Sequence, residues 1–237
     1  MCGRPVFLKN RLKQDGSWSI LISEYGRMAR RAAFWLGERT GKMKNVYLIG
    51  DMVRYSTDTN CGYGSFVMEE LAGEAYVYSV QEDCRSAAHT LRFLHEWAQK
   101  AYVDPQEVDV VHWNNGLWDV ARIMGDEPVT PVSVYQEQLI RIFRRIRRLF
   151  PNAKVIFALT APVLEDSEAP VQYRNADIEE YNRAAIAVLE PMGVEIDDLY
   201  AAAEGFGPEA YRTNEYFSPE GAKALGRSAA QAIRRMF

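Results

Sequence analysis

Lys44-Asn45-Val46-Tyr47-Leu48-Ile49-Gly50-Asp51 is the stretch whose reading decides the fold. Val46 to Ile49 is an unbroken apolar run, not an alternating one, and Gly50-Asp51 stops it in a turn. That pattern is a strand covered on both faces, as in a parallel sheet with helices on either side. Outward from it, strand-like and helix-like segments take turns. A helix is expected over Tyr63–Ala72 and a strand over Ala75–Val80. Helix Ser86–Lys100 follows, with Leu91, Leu94 and Trp97 on one face. Next come strand Val108–Trp113, helix Ser133–Phe150, strand Lys154–Thr160, helix Ala176–Pro191 and the short strand Val194–Ile196. Ser218–Met236 closes the chain as a helix, with Ser218 as its N-cap and Pro219 in its first turn. The alternation predicts an α/β fold with a five-stranded parallel sheet between helical layers. Ligands in such sheets sit beyond the carboxyl ends of the strands, where the strand order switches.

Composition fits this reading. The chain has 237 residues, 48% of them hydrophobic and 25% charged, with a net charge of −4. Those values exclude a disordered or collagen-like chain. The charge is uneven. Residues 1–42 carry nine Lys and Arg against three Asp and Glu, while residues 43–237 carry 19 against 29. The globular domain is therefore expected over 43–237. Residues 1–42 read either as a basic extension or as an upstream stretch ahead of a start at Met43. No apolar run approaches membrane-spanning length, and the N-terminus does not resemble a secretory signal. Cys2, Cys61 and Cys84 are three cysteines without metal-site spacing. The expectation is a cytoplasmic protein with no metal and no cofactor. Arg141, Arg144, Arg145, Arg147 and Arg148 interleave with Leu139, Ile140, Phe143, Ile146 and Phe150. That is a sheet-packing helix with a solvated basic side, and nucleic acid is not expected as a partner.

Three strand-end and loop motifs carry chemical information. Leu48-Ile49-Gly50-Asp51-Met52 resembles the opening Gly-Asp-Ser block of the SGNH/GDSL hydrolases. Gly116-Leu117-Trp118-Asp119, after the strand ending at Trp113, resembles their Gly-x-Asn-Asp block. Tyr216-Phe217-Ser218-Pro219-Glu220-Gly221 resembles their last block, which reads Asp-x-x-His-Phe-x-Pro-Glu-Gly. Val80 to Arg85 lies where the second block belongs. The three blocks occur in order along residues 43–237. The resemblance implies a flavodoxin-like three-layer α/β/α sandwich and acyl-ester hydrolysis. In that reaction a Ser attacks, a His takes its proton and an Asp orients the His. The Ser amide, a Gly amide and an Asn side chain hold the oxyanion.

Each triad position is changed here. The resemblance places the nucleophile at Met52, the base at Tyr216 and its orienting acid at Thr213. A thioether cannot accept an acyl group in this way, and a phenol titrates near pH 10. The oxyanion Asn falls on Trp118, with Asn114 and Asn115 close enough to serve. Pocket residues are expected among Asp51, Arg85, Asn114, Asn115, Gly116, Trp118 and Asp119. Ser56 and Cys61 are the substitute nucleophiles to test. The expected function is binding of an acyl or glycan ligand, or of a protein partner or second copy, on a family scaffold without its triad. The alternatives are an esterase or deacetylase with a rearranged site and a regulatory subunit of an intact relative.

Overall fold

The computed structural model describes residues 42–57 and 60–237. The expectations for residues 1–42 lie outside these residues apart from Lys42. Five strands form one parallel sheet: β1 (Lys44–Ile49), β2 (Ala75–Ser79), β3 (Val110–Trp113), β5 (Lys154–Ala158) and β7 (Glu195–Asp197), in the order β2-β1-β3-β5-β7. Val46 lies opposite Val77 on one side and Val110 on the other, and Trp113 lies opposite Phe157. Every residue of β3 is buried, as a central parallel strand requires. The helices are α1 (Tyr63–Glu70), α2 (Ala87–Gln99), α3 (Leu117–Val120), α4 (Val132–Leu149), α5 (Asn175–Leu189), α6 (Leu199–Ala203) and α7 (Pro219–Arg234). α4 packs on both α2 and α5, whereas α1 and α7 pack on each other. The result is the expected sandwich.

Local chemistry sets the helix ends. Ser86 accepts the amide of His89 at the start of α2, and Ser218 accepts the amide of Gly221 at the start of α7. α5 ends earlier than its periodicity suggested. Pro191 falls in a single 3₁₀ turn, Glu190–Met192, and Gly193 leaves it with φ +79°. The short helices α3 and α6 and an antiparallel pair of two-residue strands, β4 (Arg122–Ile123) with β6 (Val171–Gln172), lack a clear sequence signal. Among the described residues, no helix is long and apolar enough to cross a membrane.

The chain runs from β1 outward to β2, then returns across β1 to β3. The switch in strand order therefore lies between the ends of β1 and β3. Gly50-Asp51-Met52 leaves one of these strands and Asn114-Asn115 leaves the other.

Candidate functional site

Gly50 and Asn114 meet at the switch point. A Cβ on Gly50 would sit 2.1 Å from Asn114 Oδ1, so only glycine allows the two strand ends to approach this closely. Asn114 Oδ1 accepts the amide of Asp51 at 3.3 Å. Asp51 is fully buried, and one carboxylate oxygen accepts the amide of Val53 at 3.0 Å. Its other oxygen has no hydrogen-bond partner among the described residues. Burial pushes the Asp51 carboxyl up to about 7, and the charge of Asp83 adds to the effect. Met52 follows and is 7% exposed.

Arg54 holds this corner together. Its buried guanidinium donates to Ser79 Oγ at 2.7 Å and to the carbonyls of Val80, Gly50 and Glu82 at 2.8, 2.8 and 2.7 Å. The residues just beyond β1 and β2 are thereby tied to one side chain. Sequence reasoning missed Arg54, because one arginine in a polar loop carries no periodic signal.

The expected pocket residues divide into two groups. Asn115 and Asp119, expected in the pocket, are structural ties instead. Asn115 Oδ1 accepts Trp113 Nε1 at 2.7 Å, and its Nδ2 donates to the Arg85 carbonyl and to Thr90 Oγ1. Asp119 accepts the amide of Ala87 at 2.9 Å, anchoring the first turn of α2. Burial raises its carboxyl to about 6. Gly116, at φ +152°, lets the chain pass Thr160, whose Oγ1 a Cβ would approach to 2.1 Å. Asn114 thus faces the β1 turn. Of the two asparagines beside the aligned Trp118, it is the one whose side chain reaches the Asp51 amide.

Trp118 is 37% exposed, with the Arg85 guanidinium 6.0 Å from its ring centre. Arg85 has φ +51°, and its amide donates to Asp83 Oδ1 at 2.8 Å. The Asp83 carboxyl is raised by burial, against the hydrogen bonds it accepts from the Arg85 amide and from Trp118. Tyr216 is half-buried, and burial raises its phenol, followed by the charges of Glu215, Asp83 and Asp51. Tyr173, next to β6 and absent from the sequence reading, feels the same three carboxylates and Tyr216 itself. Asp83 is thus the carboxylate common to the surroundings of Trp118, Tyr173 and Tyr216.

Thr213 is exposed. Its Oγ1 accepts the amide of Tyr216 and donates to Glu215 Oε2, each at 3.3 Å, so it closes a turn. Ser56 Oγ accepts the amide of Gly62 at 2.9 Å and otherwise meets the Gly62 carbonyl and Ser65 Oγ, none of them a base. Cys84 is free but buried, and Cys61 is nearly buried at 9% exposure.

The chain's three histidines lie elsewhere. His112 is fully buried within β3, with Nε2 2.8 Å from Asp197 Oδ2 and the Tyr63 ring edge-on at 6.0 Å. His89 packs on Phe93 in α2, and burial lowers its pKa. His95 lies on the same helix beside Glu96. Among the described residues, no three acidic, His or Cys side chains cluster as metal ligands.

Comparison with known proteins gives a consistent picture. Residues 49–224 match the model of the GDSL-like lipase/acylhydrolase family. The fold is similar to a lipase/acylhydrolase from Enterococcus faecalis, with 20% identity and a TM-score of 0.64 over 81% of this chain and 96% of that one. It is also similar to a GDSL-like lipase from Bacteroides thetaiotaomicron, with 14% identity and a TM-score of 0.60 over 91% and 100%. An acetyl xylan esterase matches at 15% identity and a TM-score of 0.61 over 80% and 99%. No curated protein sequence matches the chain.

Proposed function

Since the chain belongs to the GDSL-like lipase/acylhydrolase family, we propose that it uses the strand-end cleft of that fold to bind a hydroxyl-rich ligand of the glycan class without cleaving esters. The observation carrying this reading is Met52 at the family's nucleophile position. It is nearly buried, and none of the three histidines is next to it. A hydroxyl nucleophile needs an adjacent base, and an oxyanion needs donors aimed at it. Here the left-handed residue of the second block is Arg85, and its amide is already engaged by the Asp83 carboxylate. A carboxylate there opposes negative charge developing on a carbonyl oxygen.

The rim chemistry supports the ligand class. Trp118, Tyr173 and Tyr216 offer apolar ring faces, while Asp83 and Glu215 accept hydrogen bonds from hydroxyls. Fatty acyl chains would find no gain in that row of carboxylates. The test is a calorimetric titration of the full chain with neutral oligosaccharides. Saturable binding weakened at least about tenfold by Trp118→Ala supports the reading. Equal binding by Trp118→Ala, or none by the wild type, contradicts it.

A further inference from the structure

α4 keeps Tyr135, Leu139, Ile142, Phe143 and Ile146 against the sheet. Its opposite side carries Arg141, Arg145 and Arg148 at i, i+4 and i+7, which forms one row. That row faces α2 across an open groove of about 610 Å³, floored by Ala88, Leu91 and Leu149, with Arg92 and His95 on the far wall. Four guanidiniums thus line one depression.

Packing does not require this arrangement. Like charges one helical turn apart cost about 0.2–0.5 kcal/mol per pair, and the apolar stripe already seats the helix. Glu137 lies 3.6 Å from Arg141, and Glu96 lies 3.1 Å from Arg92. Among the described residues, Arg145 and Arg148 have no carboxylate within ion-pair distance. Arg145 donates across the groove to the Leu91 carbonyl, which fixes its guanidinium in place. The cations gather against the prevailing charge, since residues 43–237 hold 19 Lys and Arg against 29 Asp and Glu.

We propose that this groove binds a linear polyanion whose charges are phosphate or sulfate groups without nucleobases. Guanidinium forks match tetrahedral oxyanions in pairs of hydrogen bonds. Successive arginines of the row stand about 4.5–6 Å apart along the helix axis, so a chain of charged groups is favoured over a single ion. The lining holds no Phe, Tyr or Trp on which a base could stack. Polyphosphate and sulfated oligosaccharides share this chemistry.

The test is calorimetric titration of the full chain with tripolyphosphate, a sulfated hexasaccharide and a single-stranded DNA of matched charge. Three proteins are compared with wild type: Arg141→Gln with Arg148→Gln, Arg92→Gln alone, and the off-groove control Arg144→Gln with Arg183→Gln. All these side chains are exposed, and thermal melting verifies each fold. The expected result is binding of tripolyphosphate or the hexasaccharide that falls at least tenfold in the groove double variant, falls less in Arg92→Gln and holds in the control. Which of the two binds assigns phosphate or sulfate. Unchanged binding in the groove variants, an equal loss in the control, or no binding by wild type overturns the proposal. DNA binding as tight as either ligand overturns the exclusion of bases.

Discussion

The backbone amide of Arg85 donates to Asp83 Oδ1 at 2.8 Å, closing the turn that follows β2 around a carboxylate. In an acyl-transfer site this turn would present a free amide to an oxyanion. Freeing that amide and removing the charge should help catalysis wherever a nucleophile has been supplied. In the Met52→Ser, Thr213→Asp, Tyr216→His background, Asp83→Ala is expected to raise ester turnover on the order of tenfold. Steady-state kinetics on p-nitrophenyl acetate check this. An unchanged or lower rate would show that the turn plays no oxyanion role.

Arg54 is expected to be among the most costly residues to truncate. Arg54→Ala would strand the carbonyls of Gly50, Val80 and Glu82, each about 1–3 kcal/mol when buried and unpaired. Some would regain water, so a loss of about 3–5 kcal/mol is expected. Urea unfolding of the variant measures it. A loss below about 1 kcal/mol would mean that the corner relaxes without its clamp.

Stability should fall as pH rises from about 4 to 7. Asp51 is raised by burial to about 7 in the folded state and titrates near 3.9 when unfolded. The folded chain therefore holds the extra proton in that window, and raising the pH removes a few kcal/mol at most. Asp119, raised to about 6, acts in the same direction. Asp51→Asn stays neutral and still accepts the Val53 amide, so its unfolding free energy should be flatter across the window and higher than wild type at pH 8. Parallel pH profiles for the two proteins would contradict this origin of the dependence.

The His112–Asp197 pair is expected to serve structure and not chemistry. Removing one partner of a buried hydrogen bond leaves the other unpaired, at about 1–3 kcal/mol. His112→Ala should lower the melting temperature by several degrees and leave oligosaccharide affinity at 25 °C unchanged. Lost affinity in a folded His112→Ala protein would place the pair in the binding machinery.

The sheet and its helices were legible because they rest on short-range signals. The apolar run at Val46–Ile49, the 3.6-residue stripe of α4 and the Ser218-Pro219 start of α7 each state their element locally. Gly50 was legible as a turn, though its reason, contact with Asn114, is a tertiary fact. The site was only half legible. Asn115 and Asp119 look like pocket residues in sequence, yet their side chains are committed to Thr90, Trp113 and the start of α2. Arg54 and Tyr173 gave no signal. One is placed by carbonyls from another strand's end, and the other by a two-residue strand pair whose partners lie 48 and 50 positions apart. Such pairings are set by the closed sheet and not by neighbours in the chain.

Turnover of short-chain p-nitrophenyl esters tests the central claim most directly, comparing wild type with the Met52→Ser, Thr213→Asp, Tyr216→His variant. The account predicts no turnover above the uncatalysed rate for wild type and measurable turnover for the variant, because only the reacting groups differ. Wild-type turnover that Ser56→Ala abolishes would contradict it, since a working hydrolase would then occupy the same cleft by another route.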